Sequence, residues 1–175
     1  WQTILDNSMN ENTLTLSVII PTYRRERILI DTVGHVLEEV ESTNGVTELI
    51  VADQTVDHTP EVQRKLYQWH QDRKIKWIKF LEPNLTKAMN HSFLEASSDI
   101  VLFLDDDLIP KKGFIKEHLR AFKDKPGVTA VVGQILQPGE TAEDLPYRPR
   151  GSHLRRFLDF PFRRTKGMYI ENAMA

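Results

Sequence analysis

Short apolar and β-branched runs alternate along the chain with segments whose apolar residues fall three and four apart, the two spacings that separate strands from helices. The first run, Thr15 to Ile20, stops at Pro21 and predicts a strand. Leu29, Val33, Val36, Leu37 and Val40 then share one helical face, which Asn44 and Gly45 terminate. Glu48 to Ala52 predicts a second strand that delivers Asp53 to its end. Thr59 and Pro60 follow as an N-cap and first-turn pair for a helix carrying Val62, Leu66 and Trp69. A third strand is expected over Ile75 to Phe80, and a helix through Leu85, Ala88, Met89, Phe93 and Ala96. Ile100 to Leu104 gives a fourth strand, Phe114, His118, Leu119 and Phe122 a fourth helix, and Val128 to Ile135 a fifth strand. Trp69 and Trp77 fit this pattern as packing residues.

Strands joined by helical crossovers imply an α/β fold with a mostly parallel central sheet flanked by helices, and ligands of such sheets gather outside the carboxyl ends of the strands. Residues that follow the strands therefore become neighbours at one rim: Thr22 and Tyr23, Asp53, and the triplet Asp105, Asp106 and Asp107. Adjacent carboxylates repel one another unless something positive lies between them, which points to a divalent cation. Carboxylate oxygens suit Mg²⁺ or Mn²⁺, and Mg²⁺ is usually held by one or two protein carboxylates together with substrate phosphates. An aromatic ring, a lone acid and an acidic cluster at one rim could read a base, its edge hydrogens and a metal-bound diphosphate. The competing explanation of the triplet is an acidic loop placed at the positive end of the next helix.

Composition narrows the classes. A chain of 175 residues with 40% apolar content fits one domain with a real core, and a net charge of −2 gives no global pull toward nucleic acid. Cysteine is absent, which removes disulfides, thiolate metal sites and thiol nucleophiles. No run approaches the roughly eighteen apolar residues of a membrane span, and Trp1 to Glu11 lacks the shape of a signal peptide, so the chain reads as soluble. His35, His70, His91 and His118 fall on helices at no shared metal-ligand spacing, and His58 and His153 fall in loops.

Four motifs in order carry a family resemblance: Ser17-Val-Ile-Ile-Pro-Thr-Tyr23, the strand ending in Asp53, Lys87-Ala-Met-Asn90 and Leu104-Asp-Asp-Asp107. Together, from about Leu14 to Ile135, they resemble the inverting family 2 glycosyltransferases of the GT-A fold. The resemblance implies sugar transfer from a nucleoside diphosphate donor, commonly UDP-linked, with Mn²⁺ or Mg²⁺. It places Pro21, Thr22 and Tyr23 around the nucleoside, Asp53 on the base edge and Lys87 near the diphosphate. Asp105 to Asp107 become the D-x-D motif, in which Asp105 and Asp106 serve the nucleotide and Asp105 and Asp107 the metal. Three consecutive acids leave that register open. Each residue also has a plainer explanation: Tyr23 as a strand-end aromatic, Asp53 as a turn former, Lys87 as a solvated helix charge.

The resemblance also implies a carboxylate base well downstream of the D-x-D motif, and here the chain departs from the pattern. It ends at Ala175 after Tyr169-Ile-Glu-Asn-Ala-Met-Ala, so the base is expected beyond Ala175, with Glu171 and Asp159 as weak alternatives. The expected organisation is an N-terminal extension over 1–13, a nucleotide-sugar-binding core over 14–145 and a basic, aromatic tail over 146–175 that begins an incomplete acceptor-side region. Between Arg148 and Lys166 of that tail, Arg148, Arg150, Arg155, Arg156, Arg163, Arg164 and Lys166 face the single acid Asp159, among Leu154, Phe157, Leu158, Phe160 and Phe162. Such a segment could meet a diphosphate, a lipid-phosphate acceptor or an anionic bilayer, or serve as a solvated loop, since Pro161 interrupts a helix. A saccharide or lipid-linked acceptor, and cytoplasmic placement at the inner face of a bacterial membrane, follow from the resemblance alone. A noncatalytic nucleotide-sugar-binding module and a nucleotidyltransferase are the rival readings. A signalling receiver domain is disfavoured by Pro21-Thr22-Tyr23, where it would carry acids.

Overall fold

The computed structural model describes residues 14–125, 127–133, 135 and 136, together with the backbone of Ala173 and Met174. Its elements alternate as the spacing predicts. They are β1 (Leu16–Thr22), α1 (Arg27–Ser42), β2 (Val46–Asp53), α2 (Pro60–Gln71), β3 (Lys76–Lys79), α3 (Leu85–Leu94), β4 (Ile100–Phe103), α4 (Phe114–Asp124) and β5 (Ala173–Met174). The sheet order is β3-β2-β1-β4-β5, with β1 to β4 mutually parallel and β5 antiparallel to β4.

Strand residues alternate faces, and the core divides accordingly. Leu16, Val18 and Ile20 of β1, Leu49 and Val51 of β2, and Leu102 of β4 pack with Leu29, Val33 and Val36 of α1, Leu66 and Trp69 of α2, and Ile115 of α4. Ile19, Ile50, Ala52, Val101 and Phe103 pack on the other face with Ala88 of α3. Full burial of each such aliphatic side chain contributes about 1.5–3 kcal/mol relative to exposure. The order of connections explains the division. The chain steps from β1 to β2 to β3 in one direction, and α3 then carries it back across the sheet to β4 on the far side of β1. Right-handed crossovers in opposite directions put their helices on opposite faces. The carboxyl ends of β1 and β4 thus flank the topological switch point, where a crevice opens.

Two expectations need correction. β1 does not stop before Pro21 but runs through it to Thr22, with Pro21 opposite Ala52. Leu104 N–H donates to Ile19 O, so the odd-numbered residues of β1 face β4, whose pairing ends at Ile19 and Phe103. The N–H that Pro21 lacks would have pointed past the end of β4, and no ladder bond is lost.

The expected fifth strand over Val128–Ile135 is absent from the sheet among its described residues. Strand propensity is realised only against a neighbour, and the edge of β4 is taken by Ala173–Met174 instead. The segment lies against α4: a Cβ added at Gly133 would stand 3.0 Å from the Phe114 ring and 3.2 Å from that of His118. Residues 1–13, residue 134 and most of the tail over 146–175, with Glu171 and Asp159, fall outside the described residues.

Candidate nucleotide and metal site

A cleft of about 660 Å³ opens at the switch point, lined by Pro21, Thr22, Tyr23 and Arg25 after β1, Gln54 after β2, and Asp105, Asp106 and Asp107 after β4. Pro83, Asn84 and Leu85, at the start of α3, complete it. A second cleft of about 440 Å³ lies at the opposite rim, between the end of α1 and the starts of β2 and β3, away from these acids.

The three acids stand in three different situations. Asp106 is anchored: the Thr22 hydroxyl donates to its Oδ2 at 2.6 Å, and Arg25 Nε lies 3.4 Å from Oδ1. Asp107 receives Arg25 Nη2 at 3.0 Å, with both side chains nearly half exposed. An ion pair so open to water is worth about 0.2–1 kcal/mol. Asp105 has no hydrogen-bond donor among the described residues. Lost hydration, then the charges of Asp107 and Asp106, hold its carboxyl above the usual carboxylate range. The positive charge that the triplet demands is thus supplied in part by Arg25.

No group of three or more His, Asp or Glu side chains converges on a metal site among the described residues. The donor set nevertheless fits Mn²⁺ or Mg²⁺. Asp105 and Asp107 offer exposed carboxylate oxygens, and the rest of such an ion's coordination comes from water and phosphate. The far end of the acid-bearing loop is held down, because both oxygens of the buried Glu39 accept from Gly113 N–H at 2.9 Å. Gly113 has φ +82°, a left-handed conformation that favours glycine, and it caps α4 with Glu39 at the positive helix end.

The β1–α1 loop is fastened as firmly. Arg24 holds φ +54°, a costly value for a side-chain-bearing residue, and its N–H donates to Thr55 Oγ1 at 2.8 Å. Its guanidinium lies 5.1 Å from the centroid of the Tyr23 ring, leaving Tyr23 41% exposed over the cleft. Glu26 accepts from Thr59 N–H and Thr59 Oγ1, both at 3.1 Å, and lies 3.0 Å from His58 Nδ1. Burial would raise the Glu26 carboxyl, but these bonds prevail and hold it below the usual range. Thr59 thus stands at the predicted cap of α2 but spends its hydroxyl on Glu26 rather than on its own helix.

Asp53 lies where the sheet predicts and not as a base-edge reader requires. Its side chain is fully buried: Oδ1 accepts from Thr55 N–H at 2.8 Å, and Oδ2 meets His58 Nε2 and Trp77 Nε1, each at 3.0 Å. No accessible oxygen is left for a nucleoside, and the next residue faces the cleft instead. Gln54 accepts Asn84 N–H at 2.7 Å and bonds the Thr22 carbonyl, stitching β1, β2 and α3 together beneath the opening. Lys87 is exposed in the first turn of α3, with its backbone N–H donated to the capping Asn84 Oδ1 at 2.9 Å. Its side chain is not part of the cleft wall.

Sequence reasoning missed Arg25, Gln54 and Asn84 as cleft residues and His58 as the link between Asp53 and Glu26. Arg25 and Gln54 were within reach of the strand-end rule, and Asn84 of the N-cap rule. Only the three-dimensional structure brings Glu26 to His58.

The four parallel strands, flanking helices and rim cleft define a nucleotide-diphospho-sugar transferase fold of the GT-A type. The sequence profile of glycosyl transferase family 2 matches residues 17–174, and the chain belongs to that family. A dolichol-phosphate mannosyltransferase of Pyrococcus furiosus is 27% identical over 134 residues, which is 77% of this chain and 37% of the relative. The fold is shared with a mannosyltransferase from Pyrobaculum calidifontis in complex with GDP-Man and Mn²⁺. That similarity has a TM-score of 0.59 and 20% identity, over 73% of this chain and 37% of the other. It is shared too with glucosyl-3-phosphoglycerate synthase from Mycobacterium tuberculosis, in a complex holding Mn²⁺ and UDP. There the TM-score is 0.53 and the identity 22%, over 69% and 44% of the two chains. The chain thus spans little more than a third of its curated relative. No helix among the described residues is long and apolar enough to cross a membrane.

Proposed function

We propose that this chain is the donor-binding part of a metal-dependent glycosyltransferase that moves a sugar from a nucleoside diphosphate, UDP-linked, to a saccharide or lipid-linked acceptor. One observation carries the reading: a single cleft at the switch point joins the exposed Tyr23 ring to the carboxylates of Asp105, Asp106 and Asp107. Family membership supports glycosyl transfer.

In this reading Tyr23 stacks on the base, with Pro21 beneath, and Gln54 replaces Asp53 as the nearest polar group from β2. Asp106, fixed by Thr22, orients the ribose, and Asp105 and Asp107 hold Mn²⁺ or Mg²⁺. A dication bound there stabilises the negative charge that develops on a departing diphosphate. Lys87 adds long-range attraction for the same phosphates. The acceptor's proton goes to a carboxylate base that none of the described residues is assigned to be. A lipid-linked acceptor is supported by the likeness to the Pyrococcus dolichol-phosphate mannosyltransferase, and the basic tail over 146–175 is the segment that would meet it at the cytoplasmic face of a membrane.

Calorimetric titration of UDP, GDP and dTDP, with Mn²⁺ and then with chelator, tests base and metal together. UDP should bind best and only with metal. Preference for GDP would replace uracil by guanine, as the GDP-Man complex of the Pyrobaculum neighbour suggests, and equal binding with chelator would remove the metal from the reading. Donor hydrolysis or transfer separates an enzyme from a noncatalytic nucleotide-sugar-binding module.

A further inference from the structure

We infer that Arg25 is a built-in counter-ion for the acidic triplet, which a dication displaces and which then serves the diphosphate; this rests on the donor-site reading above. Its guanidinium reaches two acids at once, through Nη2 to Asp107 at 3.0 Å and through Nε to Asp106 at 3.4 Å. A guanidinium and a metal ion cannot occupy the same face of one carboxylate oxygen, so Arg25 and a dication at Asp107 compete directly. Asp106 keeps the Thr22 hydroxyl whichever cation prevails.

The rest of the loop is built so that only the side chain need move. Arg24 N–H is fixed to Thr55, and Glu26 is fixed to Thr59 and His58, one residue to either side of Arg25. The Arg25 side chain is 43% exposed and lies in the cleft wall, free to change rotamer without unpacking the core. Once displaced it remains a positive fork in the cleft that receives the diphosphate, and a guanidinium matches phosphate oxygens in paired hydrogen bonds. The consequence is a coupling of opposite signs. Arg25 weakens binding of the bare metal ion and strengthens binding of the nucleotide with its metal, so the ion enters with its nucleotide rather than alone.

The test uses the 175-residue chain as wild type, Arg25→Ala and Arg25→Lys. MnCl₂ is titrated alone, with bound ion read by electron paramagnetic resonance. Whichever of UDP or GDP the wild type binds more tightly is then titrated at saturating Mn²⁺. Arg25→Ala should bind Mn²⁺ alone about 1.5- to fivefold more tightly, the range of an exposed ion pair. The same variant should bind the nucleotide about tenfold more weakly, the loss of a charge-assisted phosphate contact. Arg25→Lys, which keeps the charge but not the fork, should lie between the two in both titrations. If the affinities move in the same direction in the folded variants, or neither moves, the inference is overturned. If the wild type binds no nucleotide with Mn²⁺, it is the donor-site reading that fails, and this inference with it.

Discussion

Asp53 closes β2 and Asp107 follows β4 at the same rim, yet the fold treats them in opposite ways. Asp53 is sealed in with three donors, and its partner His58 is itself bridged to Glu26. A carboxylate oxygen faces each ring nitrogen of His58, at 3.0 Å on either side. Asp107 stays nearly half exposed with one displaceable arginine, beside an Asp105 that has no donor among the described residues. A buried acid must find its partners within the protein, whereas an exposed acid among like charges is ready for a ligand. The β2 acid therefore fixes the loops, and the β4 acids are left for chemistry.

The largest effect should come from breaking the sealed bridge. His58→Ala leaves the buried Asp53 without its imidazole partner and frees the partly exposed Glu26 from the same bridge, and removing one member of a buried pair costs about 3–5 kcal/mol. Urea unfolding of the variant should show a loss of at least about 3 kcal/mol. A loss below ~1 kcal/mol would mean that the bridge is not what fastens the β1–α1 loop to α2.

Asp107→Ala should invert that result. It removes a carboxylate from a repelling cluster, so the unfolding midpoint should hold within the roughly ±0.5 kcal/mol typical of surface substitutions. Metal-dependent nucleotide affinity should fall at least tenfold, or about 1.4 kcal/mol. Calorimetry with and without Mn²⁺ checks both halves; a destabilised protein with unchanged affinity would merge the two classes of acid into one.

The same contrast explains what could be read from the chain. Asp105 to Asp107 were legible because a four-residue strand of β-branched, aliphatic and aromatic residues aims them at the rim, and strand ends follow from local pattern. The position of Asp53 was legible for the same reason, but its burial was not. Burial depends on Trp77 from the neighbouring strand and on His58, whose other nitrogen meets a glutamate 32 residues away in sequence. Pro21 looked like a strand terminator because periodicity does not tell which side of a strand lacks a neighbour. Val128 to Ile135 looked like a strand because its β-branched composition says nothing about whether a sheet edge is free to receive it.

A third acid sharpens the comparison through pH. Glu48, near the start of β2, bridges to β1 and to the β4 approach by accepting from Ser17 Oγ, Ser97 N–H and Ser97 Oγ. Burial would raise its carboxyl, but those bonds and nearby Lys76 prevail and hold it below the ordinary value of 4.5. A lowered folded value means that the unfolded chain takes up its proton first. The contribution of Glu48 is therefore whole above the unfolded value and lost as pH falls through the folded one. Glu48→Gln should cost about 1 kcal/mol near neutrality, the scale of a single hydrogen-bond network member, and this cost should shrink as pH falls through the lowered folded value. Wild-type and variant unfolding curves should converge on acidification; parallel curves would deny Glu48 its role.

The smallest effect is expected at Lys87, whose exposed side chain stands outside the cleft wall on a helix whose first residue, Leu85, is part of that wall. At that remove it can act on a diphosphate only through solvent, and charges so placed are screened beyond about 8 Å at physiological salt. Lys87→Ala should weaken nucleotide binding about two- to threefold at low salt, with no measurable effect near 0.5 M, where screening is nearly complete. Asn84→Ala should behave differently, because it removes the bond that fixes the first turn of α3 beside Gln54 and its cost should persist at every salt concentration. A salt-independent loss at Lys87 would put its ammonium in direct contact with phosphate and move it from the surface into the site.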